Sequence, residues 1–199
     1  MTDTSILCLL NEQELIQQLK QGNESAFRWL VENYRSQVHN TVLNILQDDK
    51  EAEDTAQETF IQVFESVSTF KAAASLNTWI LRIAVRKALD KIRRRKARQK
   101  LHQLLPWWMP DEKKSSDTSF LHPSILTENK EKAAVLFKAI KLLPEQQCLA
   151  FTLIKVQGMN YEEACAILQK KVKAVESLIS RATVNLQKQL ESYYKTLNK

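Results

Sequence analysis

Apolar residues recur at three- and four-residue steps from Leu15 to Ile92 and again from Ala133 to Leu186, with no strand-like alternation between them. A helix with one apolar face has to bury it against another helix, so this periodicity admits an all-α fold and little else. Two Gly and four Pro among 199 residues, with a hydrophobic fraction of 44%, suit compact helices rather than sheet. That length allows one large domain or two small ones.

The stretch from Asp48 to Arg98 organises the chain. Asp48 is placed to cap orphan backbone N–H groups, and Glu51 three residues later completes a capping-box pattern. Ala52, Ala56, Phe60, Val63, Phe64 and Val67 then form one apolar helical face, and the other carries Glu53, Asp54, Gln57, Glu58 and Glu65. Carboxylates near a helix N-terminus are favourable in any solvated helix. The pattern breaks between Ser66 and Ser75, and Ser75 is the next N-cap.

The helix that follows runs from Leu76 to about Arg98, with Trp79, Ile80, Ile83, Ala84, Leu89 and Ile92 as its expected buried set. Its other face is Arg82, Arg86, Lys87, Lys91, Arg93, Arg94 and Arg95, interrupted only by Asp90. Cations at this density form a candidate phosphate-binding surface. Phe70 and Trp79 beside them are open to two roles, filling core or stacking an unpaired base, the latter worth about 1–3 kcal/mol per base.

These residues resemble a family. Glu51-Ala52-Glu53-Asp54-Thr55-Ala56-Gln57-Glu58-Thr59-Phe60, then Phe70, then Thr78-Trp79-Ile80-Leu81-Arg82-Ile83-Ala84 and Ala88-Leu89-Asp90 look like region 2 of the extracytoplasmic-function (ECF) sigma factors, which keep only regions 2 and 4. The resemblance implies that Asp54, Gln57 and Glu58 face the clamp helices of the RNA polymerase β′ subunit. It also implies that the loop from Phe70 through Lys71 to Ser75, with Arg82, Arg86, Lys87, Lys91 and Arg94 of the basic helix, engages the −10 promoter element. Two departures stand out: Ala72 where members often have Gly, and Arg86 where many have an Asn implicated in reading the −10 base.

Upstream, Leu15, Ile16 and Leu19 lie on one side of a helix over Glu12 to Gln21 that Gly22 ends as a C′ residue. Asn23 caps the next, with Phe27, Leu30, Val31, Tyr34, Val38, Val42 and Ile45 as its buried stripe. Residues 10–97 therefore read as one helical domain. Residues 98–126 read as a flexible linker holding an apolar island around Trp107-Trp108.

Residues 127–197 read as a second helical domain. Ala133, Leu136, Phe137, Ile140 and Leu143 form a stripe, and Pro144 stops that helix while opening the next. The helix from Glu145 to Gln157 turns Cys148, Phe151, Thr152 and Ile154 inward, and Gly158 closes it. Asn160 and Glu163 form a capping box over Tyr161 to Leu168, and a long helix with Val175, Leu178, Ile179, Ala182 and Leu186 apolar starts near Lys173. A short capped helix, a tight turn and a second helix make a helix-turn-helix arrangement. Leu143-Pro144-Glu145-Gln146-Gln147, Gly158 to Ala164 and Ser177 to Ala182 resemble sigma region 4. That implies −35 element recognition and contact with the β-flap tip. Lys173, Glu176, Ser177, Ser180 and Arg181 are the expected DNA-contacting positions, and Lys170 and Lys171 are open to two readings, holding phosphate or no specific role. Gln169-Lys170-Lys171 replaces the usual Gly-containing turn, and Leu178, where Arg is frequent, is expected to face the core or another protein.

The net charge of +6 agrees with a polyanionic partner, more tellingly because it is concentrated between Lys71 and Lys100. Cys8, Cys148 and Cys165 are isolated, as are His39, His102 and His122, which argues against a disulfide framework or zinc site. No nucleophile–base pair or phosphate-cradling Gly loop is present, so no catalytic residue, cofactor or metal is expected. No apolar run reaches the roughly 18–20 residues of a membrane span, and Met1 to Leu10 lacks a signal peptide's basic start. A cytoplasmic protein is expected.

Together these features point to an alternative sigma factor that recruits core RNA polymerase to promoter DNA, with an anti-sigma factor as a family expectation. One rival is a helix-turn-helix regulator that binds duplex DNA without polymerase, which leaves Gln57-Glu58 and the Phe70 loop unexplained. The other is a two-bundle interaction protein with no DNA role.

Overall fold

A computed structural model of the chain describes residues 12–104 and 130–197. The Trp107-Trp108 island, Cys8, His122 and most of the expected linker lie outside them. The described residues form helices throughout, with no strand: α1 (Glu12–Lys20), α2 (Glu24–Leu46), α3 (Asp49–Ser66), a 3-10 turn (Val67–Thr69) and α4 (Leu76–Leu104), then α5 (Lys130–Lys141), α6 (Glu145–Phe151), α7 (Tyr161–Leu168) and α8 (Val172–Leu197). The basic helix α4 thus continues past Arg98 into the stretch read as linker, since nothing between Gln99 and Leu104 is a Gly or Pro that would stop it.

Local chemistry sets the boundaries. The Asn23 carboxamide accepts from Ser25 N at 2.9 Å and Ala26 N at 3.1 Å, starting α2. Asp48 Oδ1 accepts from Glu51 N at 2.9 Å, starting α3. The second half of that expected capping box is absent, because Glu51 turns its carboxylate towards Arg95, at 3.6 Å. Ser75 Oγ accepts from Thr78 N at 3.2 Å, and Glu12 Oε1 at the start of α1 accepts from Leu76 N at 2.6 Å. The first turn of α4 is therefore capped both by its neighbour and by α1.

Leu30, Val38, Val42, Leu43, Val63, Ile80, Ala84 and Ala88 bring α2, α3 and α4 into one buried cluster. Phe64 departs from the expected stripe: it is 54% exposed and meets Phe27 edge-on, centroids 5.1 Å apart, at the rim of the α2–α3 seam. In the second domain Phe137, Ile140, Leu143, Cys148, Ala182 and Leu186 make a core of their own. Pro144 sits at the N-cap of α6, and α6 passes into a π-helical turn over Thr152–Val156 before Gly158 takes φ +71°. Leu178 is half-buried and packs on the core, the first of the two roles open to it.

The loop before α4 keeps a left-handed residue without a glycine. Ala72 has φ +53°, a conformation that costs an L-residue roughly 1–2 kcal/mol. Ala72→Gly is expected to raise the unfolding free energy by about 0.5–1 kcal/mol once the extra freedom of unfolded Gly is subtracted. A urea melt checks this, and an unchanged midpoint would mean that the loop relaxes at no cost.

Candidate polymerase and nucleic-acid interface

Asp54, Gln57 and Glu58 stand exposed on α3, one helical turn apart, opposite buried Ala52, Ala56 and Phe60. Ile61, 59% exposed, and Phe64 continue the same side towards the C-terminus of the helix. The sequence reading missed Ile61; its signal was an apolar residue standing off the helix stripe.

The acidic and basic helices touch. Glu58 Oε2 lies 3.8 Å from Lys87 Nζ, and Glu51 Oε2 3.6 Å from Arg95 Nη1. Among the −10 cations, Arg82 is half-buried and its Nη2 donates to the Ala166 carbonyl at 2.7 Å. Arg86 and Arg94 are exposed and Lys91 half-buried, and none of the three has an ion pair among the described residues. Arg93 bridges Asp90 at 3.5 Å and Glu145 at 2.8 Å. Lys71 is exposed in the loop, whereas Ser75 is occupied with capping α4.

Phe70 requires a correction. Its ring is buried, with its centroid 4.9 Å from that of half-buried Trp79 and the planes 42° apart. Placed so, Phe70 offers no open face to a base. Of the two roles open to this pair, core filling is the one the packing supports, and Phe70 holds the loop from beneath.

In the second domain the expected capping box is complete: Glu163 N donates to Asn160 Oδ1 at 2.8 Å and Asn160 N to Glu163 Oε2 at 3.2 Å. Gln169, at φ +54°, supplies the left-handed residue in place of glycine, and the turn delivers α8. Lys171, Lys173, Glu176, Ser180 and Arg181 are exposed, while Lys170 and Ser177 are half-buried. Val175, Ile179 and Ala182 anchor the opposite face of the helix. The turn thus brings Lys170, Lys171 and Lys173 to the N-terminus of α8, where unpaired backbone N–H groups add to their positive field.

Cys148 and Cys165 are free thiols, and desolvation pushes both above the ordinary thiol range. Among the described residues no group of His, Cys, Asp and Glu is placed to hold a metal ion, and no helix is long and apolar enough to cross a membrane.

The two faces fall on two matched regions. Sigma-70 region 2 matches residues 30–98 and Sigma-70 region 4 matches residues 134–186, together more than half of the chain. The chain belongs to the sigma-70 family, in its extracytoplasmic-function group. It is 28% identical over 191 residues to the RNA polymerase sigma-H factor of Pseudomonas aeruginosa, covering 90% of this chain and 94% of that protein. Against the ECF RNA polymerase sigma-E factor of Escherichia coli K12 it is 28% identical over 174 residues, 87% of this chain and 91% of the other. The fold is shared with CnrH in its complex with the cytosolic domain of CnrY, at TM-score 0.63 and 22% identity over 91% of this chain and 97% of that one. It is likewise shared with the sigma factor RpoE in complex with the anti-sigma factor NepR from Bartonella quintana, at TM-score 0.63 and 19% identity over 83% and 96%. This sigma factor is accordingly an alternative initiation factor that serves promoter-specific transcription. The two helical bundles are its region 2 and region 4.

Proposed function

We propose that this sigma factor divides its work among three faces. Asp54, Gln57 and Glu58 of α3 dock on the β′ clamp helices of core RNA polymerase. Lys71 with Arg82, Arg86, Lys87, Lys91 and Arg94 holds the opened −10 strand. Lys173, Glu176, Ser177, Ser180 and Arg181 of α8 read the −35 duplex, with Lys170 and Lys171 on phosphate and the β flap held by the same domain. The observation that carries this reading is the exposure of Asp54, Gln57 and Glu58 on the side of α3 turned away from the core, since buried side chains could not serve a partner.

The mechanism is binding rather than bond chemistry, with no cofactor. Unstacking a promoter base costs a few kcal/mol, and contacts from the α4 cations to strand phosphates offset part of that cost. An anti-sigma partner is proposed by analogy with the complexes of CnrH and RpoE, and a cytoplasmic location follows from a partner that works on the chromosome. Run-off transcription with core RNA polymerase on promoter fragments from the source genome tests the whole reading. Transcripts should start at a subset of fragments only when the protein is added. Absence of any such start would overturn the proposal, as would failure of core polymerase to bind the protein.

A further inference from the structure

Resting on the reading of Lys71 and α4 as strand-binding elements, we infer that Glu12 is a positioning residue for promoter-strand recognition: its carboxylate fixes the far stem of the loop that carries Lys71. Three N–H groups in the first turn of α4 find acceptors. Trp79 N donates to the Ser75 carbonyl at 3.1 Å and Thr78 N to Ser75 Oγ at 3.2 Å, both within the segment itself. Leu76 N donates to Glu12 Oε1 at 2.6 Å, across 64 residues. Of these three bonds, the last ties the start of α4 to another part of the chain.

The loop is gripped at both ends by α1. Leu15, Ile16 and Leu19 share a buried cluster with Val67 and Phe70, which precede the loop's tip, and with Leu76, which follows it. The same helix packs against the 3-10 turn Val67–Thr69. Between these stems Lys71, Ala72 and Ala73 are exposed, and Ala72 holds φ +53°. A left-handed alanine persists where its surroundings over-determine it, and here the surroundings are the two stems. The bond from Leu76 N to a carboxylate is charge-assisted, and at a helix start the carboxylate also meets the positive end of the dipole. With both stems fixed, the loop meets the strand already shaped, and no affinity is lost to ordering it.

This role has a sign that electrostatics alone would reverse. Deleting a negative charge from a nucleic-acid-binding domain should by itself tighten binding. Deleting a positioning contact should weaken it.

The full chain is compared with Glu12→Ala, Glu12→Gln and the control Glu14→Gln, which removes an exposed carboxylate elsewhere on α1. Loop order is read by the rate of tryptic cleavage after Lys71, referred to cleavage after exposed Lys171 of region 4. Strand affinity is read by polarisation, with the fluorescein-labelled single strand that the wild type enriches from a random 15-mer pool. Glu12→Ala should speed cleavage after Lys71 about ten-fold and bind the strand about ten-fold more weakly, which is about 1.4 kcal/mol. Glu12→Gln keeps an acceptor oxygen and should recover most of both, and Glu14→Gln should bind no more weakly than the wild type. Ala72→Gly added to Glu12→Ala separates positioning from stability: it should raise the melting midpoint without restoring strand affinity. Wild-type loop protection in Glu12→Ala would overturn the inference, as would unchanged strand affinity in a variant whose loop has opened. So would a Gln variant as weak as the Ala one, or strand affinity that recovers with the midpoint in the double variant. If the wild type enriches no strand, the strand-binding reading itself fails. A strand that is enriched but indifferent to Glu12 removes this inference alone.

Discussion

Glu58→Lys is expected to weaken binding of core RNA polymerase by about thirty-fold or more while the protein stays folded. The residue's side chain is 52% exposed and belongs to the outward side of α3, so the substitution leaves no cavity. Its ion-pair partner among the described residues is Lys87 at 3.8 Å, a contact that solvent still reaches, and such pairs contribute about 0–1 kcal/mol. Stability should therefore fall by no more than about 1 kcal/mol, checked by a thermal melt. At a protein interface, losing one member of a close charge pair costs about 2–5 kcal/mol, and each 1.4 kcal/mol is about ten-fold in affinity. Competition against labelled wild type for core polymerase measures the difference. Unchanged affinity in a folded variant would remove Glu58 from the docking face, and Asp54 and Gln57 would fall with it.

The second large effect is expected in region 4. Lys173→Ala with Arg181→Ala should lower affinity for a −35 duplex about a hundred-fold, with a footprint that fades at the −35 element and nowhere else. Both side chains are exposed on the face of α8 opposite Val175, Ile179 and Ala182, so the core loses nothing. A base-reading arginine costs about 1–3 kcal/mol when removed, and a phosphate-holding lysine lowers the salt slope by about 1. Repeating the titration across salt concentrations separates the two roles. An undiminished footprint would reject this face of α8.

Most of the fold was legible because its signals are local. Asn23, Asp48, Ser75 and the Asn160–Glu163 pair all cap the helices they precede, and capping depends on residues three apart. Apolar periodicity likewise located the stripes on α2, α4 and α8. What sequence did not reveal depends on distant partners. Glu12 caps α4 from 64 residues away, and no spacing rule reaches that far. Glu51 gave up its half of the capping box because Arg95 came within 3.6 Å.

The inner face of α6 was a partial reading. Cys148, Thr152 and Ile154 do point inward, but Leu149, Ala150 and Leu153 are buried as well. The unbroken run Cys148-Leu149-Ala150-Phe151 leaves the second half of α6 without a polar side, and that was the available sign that it is buried on more than one side. At the site, exposure of Asp54, Gln57, Glu58, Lys173 and Arg181 follows from the helical period. Phe70 did not yield to the same reasoning, because a ring beside cations looks the same in sequence whether it faces in or out. Ala72 is the converse case. It stands where family members often have glycine, and the loop keeps φ +53° without one.

The contact between Glu58 and Lys87 has an energetic corollary for the order of assembly. A partner that claims the Glu58 carboxylate leaves the Lys87 ammonium without its neighbour, and the ammonium becomes available to a phosphate. The two ligands are then thermodynamically linked, and linkage is mutual: bound nucleic acid would favour bound enzyme by the same factor. Because an exposed pair is worth at most about 1 kcal/mol, that factor is no larger than about five. It is a bias towards completing the ternary complex once begun, too small to act as a gate.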